Sequence, residues 1–274
     1  MSTSLREIFD QLGQRSTKWD TYFPVYTQLL QPYRGRAITF VEIGVLNGGS
    51  LQMWRAFLGE QARIIGIDLN PAARRMEAQG FEIFIGDQAD PAFWQDFFER
   101  VGEIDVLIDD GGHRNDQQII TVESALPRVR DGGLILVEDV HTAYLRAFGN
   151  PSPYSFLNYA KHQIDRINQR SGKLPLPKRL EERIWGIRFY ESLVVFEIDR
   201  SRCQRSREVI GGSESFQAKD FRFYQDESPK LRCLQDLAGR YLGRFASRQV
   251  RSLQKRYRAL VQWRRNRRMK RFFD

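Results

Sequence analysis

The sequence predicts an α/β fold built on a doubly wound, mostly parallel sheet. Two observations support this prediction: short, mainly apolar runs alternate with longer helical patterns, and these runs do not alternate between apolar and polar positions. Such alternation is typical of parallel sheets, and uniformly apolar strands are covered on both faces. The predicted strands are ITFVEIG (38–44), RIIGIDLN (63–70), FEIFIG from residue 81, DVLIDDG (105–111) and GGLILVED (132–139).

Helical patterns precede the first strand and connect each strand to the next. Within residues 5–34 the apolar side chains recur at helical spacing. We therefore predict a helical lead-in that either packs on the core or covers a site. The connecting helices are predicted from SLQMWRAFLG, PAARRMEAQG, PAFWQDFFERVG and NDQQIITVESALPRV.

The chain is less regular after the fifth strand. Residues 141–184 contain four prolines, which favour a cover over the site, with a helix near 155–170. RIWGIRFYESLVVFEIDR (183–200) predicts a β-hairpin that closes the sheet, with a tight turn at Glu191–Ser192. A helix is predicted from about residue 228 to 268. The predicted domains are a helical lead-in (1–36), a sheet domain (37–200) and a C-terminal extension with a basic helical tail (201–274).

The composition favours a protein without disulfides or a membrane span. Cys203 and Cys233 lie outside any CxxC or Cys/His pattern, which argues against a disulfide framework or a zinc site. The N-terminus carries charges where a signal peptide needs an apolar core. No run approaches the roughly 20 apolar residues that cross a bilayer. We therefore expect a cytoplasmic protein.

The net charge is concentrated in a C-terminal tail. Residues 248–274 contain eleven Lys or Arg and one Asp, which gives this segment a net charge of +10. Because the net charge of the whole chain is +9, the remaining residues together carry −1. Such a tail can contact an anionic membrane surface or glycan, which would place the protein at the membrane periphery. It can also bind nucleic acid, or lie as a solvated helix docked by its apolar stripe. The sequence leaves these three interpretations open.

Carboxylates follow the predicted strands at the edge where each strand ends. In sheets of this type, ligands bind outside the carboxyl ends of the strands, near the switch in strand order. Asp109 and Asp110 close the fourth strand, and Glu138 and Asp139 close the fifth. Because burying carboxylates is costly without a partner, a cation or a reaction is expected at this edge. The alternative is that these loops simply turn toward water.

The loop after the first strand, EIGVLNGGS, indicates the class of cofactor. It lacks the GxGxxG spacing that brings backbone close to a pyrophosphate, and Glu42 would repel phosphate but tolerate an amino group or a sulfonium. Asp68 ends the second strand, where a carboxylate can accept hydrogen bonds from ribose hydroxyls. This combination favours S-adenosylmethionine over NAD. The predicted cofactor-binding residues are Glu42, Gly44, Asp68, Asp87, Gln88 and Asp109.

These motifs resemble those of class I S-adenosylmethionine-dependent methyltransferases. More narrowly, the chain is similar to the metal-dependent sugar O-methyltransferases of the macrolide (mycinamicin and tylosin) type. The similarity runs through TYFPVY, FVEIGVLNGGSLQMW, IIGIDLNP, GDQAD, IDDGGH, GGLILVEDVHTAYL and FYESLVVFEID. The resemblance implies a Rossmann-like sheet, a glycoside or glycan acceptor and Mg²⁺ held by Asp110, Glu138 and Asp139. It also implies that His113 is the general base.

Metal assistance suits a sugar hydroxyl, which is a poor nucleophile at neutral pH. A divalent ion lowers the pKa of a coordinated hydroxyl, and an imidazole such as that of His113 can then accept the proton. Structural alternatives stay open for three residues: His113 as a cap of the following helix, Asp87 as a cap ahead of Pro91, and Asp68 as a solvated loop residue. We expect His141 to be structural or to line the substrate site, and His162 to lie on a helix surface.

Competing functions are also compatible with the sequence. NPSPY (150–154) resembles the NPPY signature of amino-methyltransferases that act on DNA bases. It follows the fifth strand instead of the fourth and carries an insertion, so we interpret it as a turn-rich loop. The basic tail is also compatible with an RNA methyltransferase. Another alternative is that the acceptor is a hydroxyl of a different small molecule. A non-catalytic cofactor-binding protein is the third class, and a homo-oligomer is compatible with all of them.

Overall fold

A seven-stranded sheet organises the first part of the computed structural model, which describes residues 4–149, 152–175, 181–212 and 228–272. The strands are β1 (Thr39–Ile43), β2 (Arg63–Asp68), β3 (Glu82–Ile85), β4 (Ile104–Asp109), β5 (Val129–Val137), β6 (Ile184–Tyr190) and β7 (Leu193–Ile198). Their order is β3-β2-β1-β4-β5-β7-β6. The first five strands are parallel, and β7 is antiparallel to both of its neighbours. The predicted fold class is confirmed.

Helices cover both faces of this sheet. The first face is covered by α1 (Leu5–Asp10), α2 (Tyr22–Leu30) and α3 (Gly49–Leu58), and the second by α4 (Pro91–Val101), α5 (Asn115–Ala125) and α6 (Phe156–Asn168). Neighbouring strand residues face opposite layers: Phe40 packs with the first group and Val41 with the second. Burial on both faces explains why the strand sequences are mainly apolar and lack a regular alternation with polar residues.

One connection differs from its expected regular element, and another forms the turn that was predicted. The segment Pro71–Gln79, predicted as an α-helix, forms a 3₁₀ helix. Within it only Ala73 and Met76 are buried, so packing gives little support to a regular α-helix. Between β6 and β7 the chain turns at Glu191–Ser192, where Ser192 has a φ of 58°.

The chain divides into two units, Met1–Glu208 and Val209–Asp274. The first unit contains both the lead-in helices and the sheet. The second contains α7 (Pro229–Leu237), a π-helical segment (Ala238–Leu242) and α8 (Gly243–Met269). The region predicted as one helix is thus two helices joined by a wider turn. Of the helices in the described ranges, none combines the length and the apolar character needed to cross a membrane.

The switch in strand order determines where a ligand can bind. β1 lies between β2 and β4. From β1 the chain continues to β2 and β3 on one side of the sheet, and it then crosses to β4 and β5 on the other side. The connections after β1 and β4 therefore lead to helices on opposite faces of the sheet, α3 and α5, and leave a crevice at the carboxyl ends of the strands. Residues 150 and 151 of the NPSPY motif, and residues 176–180 and 213–227, lie outside the described ranges.

Candidate active site

A cavity of about 830 Å³ opens at the carboxyl edge of the sheet. Its wall includes residues from the ends of β1, β2 and β3, from the loops after β4 and β5, and from the segment before α2. The predicted site residues that line it are Gly44, Asp68, Asp87, Gln88, Asp110, His113, Glu138 and Asp139. Glu42 and Asp109, which were also predicted to contact the cofactor, are not among the lining residues.

Gly44 allows the loop after β1 to pass close to the loop after β4. Its φ is 92°, and a Cβ atom there would lie 2.0 Å from the carbonyl oxygen of Asp110. Any side chain at this position would force the two loops apart, and most would also strain the backbone. The glycine therefore brings the first strand's loop against the backbone of the predicted metal ligand.

Asp68 holds the same loop from the second strand. Its Oδ2 accepts hydrogen bonds from the backbone nitrogens of Val45 and Leu46, both at 2.9 Å, and its Oδ1 accepts one from Asn70. The carboxylate lines the cavity and remains partly exposed. Asp68 is therefore a structural support of the loop as well as an available acceptor for a ligand.

Of the two predicted residues after β3, Asp87 is exposed and Gln88 is buried. Asp87 is exposed and lines the cavity, and its Oδ1 accepts a hydrogen bond from the backbone nitrogen of Ala89. The cap of α4 is Asp90, so the alternative that Asp87 caps this helix is wrong. Gln88 is 5% exposed; its Nε2 donates to Asp109 and its Oε1 accepts from the backbone of Gly112.

Glu42 and Asp109 are fully buried behind the cavity wall. The carboxylate of Glu42 accepts hydrogen bonds from Ser50 Oγ at 2.6 Å and from Trp54 Nε1 at 2.9 Å. Asp109 accepts hydrogen bonds from Gln88 and from the backbone of Gly111. Burial raises the pKa of both carboxyl groups. In this structure the two residues hold neighbouring elements together rather than face the cavity.

Lys18 is the unexpected centre of the acidic cluster. Its Nζ lies 2.6 Å from Asp110 Oδ2, 2.8 Å from Glu138 Oε1 and 3.6 Å from Glu42 Oε1. Only 1% of its side chain is exposed. Burial lowers the pKa of this amine, but the charges of Asp110 and Glu138 outweigh that effect and raise it well above its usual value. Lys18 therefore carries its charge inside the site.

Glu138 is engaged by protein donors. Besides the ammonium of Lys18, the hydroxyl of Tyr26 donates a hydrogen bond to Glu138 Oε1. Burial and the neighbouring charge of Asp110 raise the pKa of Glu138, although Lys18 acts in the opposite direction. Of the three predicted metal ligands, Glu138 is the most buried, at 1% exposure, and both of its donors reach Oε1.

A second cluster consists of Asp110, His113 and Asp139. One ligand atom from each lies within 4.8 Å of the others, and within the described ranges no other three His, Cys, Asp or Glu residues meet this geometry. The side chain of Asp110 is 21% exposed and that of Asp139 is 20% exposed. The structure therefore brings two of the predicted metal ligands together with the predicted base, at the cavity surface.

His113 is held in a strained backbone conformation beside Asp139. Its φ is 57°, and Thr142 Oγ1 donates a hydrogen bond to its carbonyl oxygen. Its Nε2 lies 3.5 Å from Asp139 Oδ2. Its Nδ1 is buried, with no hydrogen-bond partner among the residues that the structure describes. Strain and an unsatisfied nitrogen are costly, and such costs concentrate at functional sites.

Asp139 is oriented by the segment before and within α2. Trp19 Nε1 and the hydroxyl of Tyr22 both donate to its Oδ1, at 2.9 and 2.8 Å. Its φ of 53° is a second left-handed conformation in the cluster. Its other oxygen, Oδ2, is the one that approaches His113. The hydrogen bonds on Oδ1 therefore fix the direction in which Asp139 presents Oδ2.

His141 lies at the rim of the site. Its Nδ1 lies 2.5 Å from Ser192 Oγ, and its ring packs edge-on against that of Trp19, with a centroid distance of 5.8 Å. It is not a residue of the cavity wall. The contacts agree with the expected structural role. His162 lies on an exposed part of α6, as predicted.

The lead-in contributes four residues that the sequence analysis missed as site residues. Lys18, Trp19, Tyr22 and Tyr26 all contact the carboxylates after β4 and β5. The lead-in thus packs on the core through α2 and also covers the site. The motif TYFPVY, which contains Tyr22 and Tyr26, is one of the motifs shared with the methyltransferase family and could have indicated these two residues. Lys18 lies in an irregular segment without a periodic pattern, so no local pattern indicated it.

Residues 41–140 match a family model described as a methyltransferase domain. The chain therefore carries a methyltransferase domain. The matched range includes most of β1, all of β2–β5 and the two acid-bearing loops, so it contains all ten residues predicted for the site. The residues that the lead-in adds lie outside the matched range.

Two curated relatives match a larger part of the chain than the family model does. One is the 8-demethyl-8-alpha-L-rhamnosyl tetracenomycin-C 2'-O-methyltransferase of Streptomyces olivaceus, which is 37% identical over 203 residues, 68% of this chain and 53% of the relative. The other is the mycinamicin VI 2''-O-methyltransferase of Micromonospora griseorubida, 30% identical over 217 residues, 73% of this chain and 52% of the relative. The chain spans about half the length of the curated relatives it matches.

A solved structure has the same fold. The MycE methyltransferase from the mycinamycin biosynthetic pathway, in complex with Mg and SAH, aligns with a TM-score of 0.66 and 28% identity. The alignment covers 73% of this chain and 55% of that protein.

Proposed function

We propose that this protein is an S-adenosylmethionine-dependent O-methyltransferase that acts on a sugar hydroxyl of a glycoside or glycan. The observation that carries the proposal is the Asp110–His113–Asp139 cluster at the mouth of the cavity, in a chain that contains a methyltransferase domain. The names of the relatives support the acceptor class, because one methylates a rhamnosyl group and the other mycinamicin VI.

The cavity suits S-adenosylmethionine. It lies in the crevice next to β1, where nucleotide ligands bind in doubly wound sheets. Asp68 and Asp87 present acceptors for the ribose and the adenine edge, and Gly44 leaves room for the ligand beside the loop. The related MycE structure is a complex with SAH. Glu42, Gln88 and Asp109 would support this site by holding the loops around it, which refines their predicted role as direct contacts.

The cluster at the cavity surface also fits Mg²⁺. Two carboxylates converge within 4.8 Å, and Mg²⁺ prefers a small number of carboxylate oxygens together with water and substrate oxygens. We infer that Asp110 and Asp139 would hold the ion and leave the imidazole of His113 for proton transfer. When bound, the ion supplies Lewis-acid stabilisation of the ionised acceptor hydroxyl. The related MycE structure is a complex with Mg, which supports a metal-assisted reaction but does not identify the ligands.

The chain's own groups then account for the rest of the reaction. The acceptor hydroxyl gives its proton to His113 as it takes up the methyl group. The Oδ2 atom of Asp139, 3.5 Å from His113 Nε2, stabilises the imidazolium that forms. Trp19 and Tyr22 keep Asp139 in place and, with Lys18, cover this side of the cavity against water. Much of the remaining catalysis is positioning of donor and acceptor.

Calorimetry and a turnover assay test the function. We expect S-adenosylhomocysteine to bind the purified chain, and rhamnosyl glycosides to be methylated in the presence of Mg²⁺ but not of EDTA. His113→Ala should lower turnover by about 10²–10⁴-fold, and added imidazole should restore part of it. His162→Ala is the matched control and should have no effect. Turnover of RNA but not of glycosides would favour the competing RNA methyltransferase.

We further propose that α8 binds an anionic membrane surface, which would place the enzyme at the membrane periphery. Between residues 248 and 272 the chain has eleven basic residues and no acidic one. Leu253, Leu260 and Trp263 lie within one sector of the helix and are each about half exposed, at 49%, 44% and 53%. Basic helices with an exposed apolar stripe bind the headgroup region of anionic bilayers. Sedimentation with phosphatidylglycerol vesicles should show this binding, whereas RNA binding without vesicle binding would contradict it.

The cytoplasmic location and a homo-oligomeric state stay predictions. Light scattering of the full chain would give the oligomeric state directly.

A further inference from the structure

The lead-in contacts the predicted metal ligands through one oxygen of each carboxylate. Lys18 Nζ donates hydrogen bonds to Asp110 Oδ2 at 2.6 Å and to Glu138 Oε1 at 2.8 Å. The hydroxyl of Tyr26 donates to the same Oε1 atom of Glu138. Every lead-in donor that meets these two acids therefore reaches a single oxygen atom of each carboxylate.

Asp139 shows the same arrangement with two other donors. Trp19 Nε1 and the hydroxyl of Tyr22 donate to its Oδ1, and neither reaches its Oδ2. The oxygen of Tyr22 also accepts a hydrogen bond from the backbone nitrogen of Asp139 at 3.1 Å. Tyr22 therefore holds both the backbone and the side chain of a residue in the left-handed conformation, and the Oδ2 atom is left to face His113.

The acids divide into two groups according to the donors that they meet. Lys18, Glu42, Asp110 and Glu138 form an inner cluster, in which the ammonium also lies 3.6 Å from Glu42 Oε1. Asp139 lies outside this inner cluster and is held by the aromatic donors of the lead-in. Asp110 is shared, because it also belongs with Asp139 to the cluster at the cavity surface. Donors from one short segment of the chain thus support both groups.

The second oxygen of each predicted ligand is left without a hydrogen-bond donor in the described part of the chain. These atoms are Asp110 Oδ1, Glu138 Oε2 and Asp139 Oδ2, the last with His113 Nε2 3.5 Å away. All three acids line the cavity. A carboxylate that is held at one oxygen presents the other in a defined direction, and Mg²⁺ demands near-ideal geometry from a few such oxygens. The arrangement therefore fits the needs of the ion.

We propose that Lys18, Trp19, Tyr22 and Tyr26 are positioning residues of the divalent-ion site. Each holds one oxygen of an acid, so that the other oxygen is oriented toward the ion before the ion binds. This inference rests on the proposed function for its metal site. Hydrogen-bond partners of metal ligands typically contribute about 10–100-fold to metal affinity or activity. The ligands belong to the matched methyltransferase domain, whereas their supports come from the segment ahead of it.

The test measures Mn²⁺ affinity by electron paramagnetic resonance on the full chain, with variants that remove a donor and keep every charge. Tyr22→Phe and Tyr26→Phe should each weaken Mn²⁺ binding by about 10–100-fold. Tyr33→Phe is the matched control, because its hydroxyl lies in the same lead-in but donates to the backbone oxygen of Gly132. It should keep the wild-type affinity. Wild-type affinity in Tyr22→Phe and Tyr26→Phe, or an equal loss in Tyr33→Phe, would overturn the proposal.

A double-mutant cycle separates positioning from a general loss of stability. Tyr22→Phe should weaken Mn²⁺ binding in the wild-type background but change it by less than about twofold in Asp139→Ala, because the hydroxyl acts through that carboxylate. Trp19→Phe gives a second cycle on the same carboxylate, and Trp19 is 55% exposed, so this variant keeps the test available if Tyr22→Phe does not fold. Equal losses in the two backgrounds would contradict a positioning role.

Failure of this inference is distinguishable from failure of the proposed function. S-adenosylhomocysteine binding and glycoside methylation test the methyltransferase without reference to these donors. A wild-type chain that binds S-adenosylhomocysteine but no Mn²⁺ would overturn the positioning role and leave the methyltransferase in place. Weakened Mn²⁺ binding in the two tyrosine variants, in a chain that methylates no sugar, would support the positioning role and overturn the acceptor.

Discussion

The acids at the strand ends and the basic residues of α8 are both dense clusters of one charge sign, but the chain treats them differently. The acids after β4 and β5 are buried or partly buried, and they meet a cation and several hydrogen-bond donors from other parts of the chain. Residues 248–272 contain eleven basic residues and no acidic one, and their described side chains are mostly exposed. A buried cluster controls geometry at short range, whereas an exposed one acts on partners at long range and is screened by salt.

The largest effect should come from the shared carboxylate of the buried cluster. We expect Asp110→Asn to lower kcat by about 1,000-fold, because it removes a proposed metal ligand and Lewis-acid stabilisation is worth several kcal/mol. Steady-state methyl transfer to a glycoside measures this. Asp116→Asn, an acid at 48% exposure on α5, is the control and should be neutral. Normal turnover of Asp110→Asn would exclude its metal role.

Removing the positive charge of the buried cluster should lower the free energy of unfolding far more than removing one positive charge from the tail. We expect Lys18→Met to reduce the free energy of unfolding by about 3–5 kcal/mol, because it leaves buried carboxylates unpaired. Lys255→Met in α8 should change it by less than about 0.5 kcal/mol, because the residue is exposed. Denaturant unfolding compares the two variants. Similar values would mean that the inner cluster does not depend on Lys18.

The tail should instead respond through binding. We expect Arg267→Ser combined with Arg268→Ser to weaken binding to phosphatidylglycerol vesicles by roughly 30-fold, since each basic residue near such a surface contributes about 1 kcal/mol. Arg74→Ser with Arg100→Ser removes the same charge from exposed positions of the first unit and should have little effect. Raising the ionic strength should weaken wild-type binding. If both double variants lost vesicle affinity equally, binding would depend on the net charge of the protein and not on α8.

The smallest effect concerns the pH dependence of stability. Burial raises the pKa of Asp109, so the folded state keeps a proton at pH values where the unfolded chain has lost it. The stability from this group is present below the unfolded pKa of about 4 and is lost as the pH rises through the folded pKa. Asp109→Asn should therefore lose less stability than the wild type between pH 4 and 7. Urea unfolding across this range measures the difference, and parallel curves would contradict it.

Several features of the fold followed from local sequence alone. The strand runs were recognisable because strands buried on both faces, such as β1 and β4, are mostly apolar and do not alternate regularly between apolar and polar residues. The edge on which the acids lie followed from the direction of parallel strands. The 3₁₀ geometry of Pro71–Gln79 was not predictable, because its helical pattern does not distinguish it from an α-helix.

The residues of the site were only partly predictable for a related reason. His113, Asp110 and Asp139 carry their signal in adjacent motifs after β4 and β5. Glu42 and Asp109 lie at the same strand ends, but their side chains are buried behind the wall. Strand position specifies the end of a sheet on which a residue lies, and packing then determines which residues reach the cavity.

The sequence by itself determined the fold class, the ligand edge of the sheet and the acidic character of the site, because each depends on residue type and spacing along short segments. Only the tertiary structure decided how the acids divide. Lys18 lies 92 residues before Asp110 and 120 before Glu138, and no local pattern links them. Their contact exists because the lead-in packs over the carboxyl edge of the sheet, which is a consequence of the whole fold.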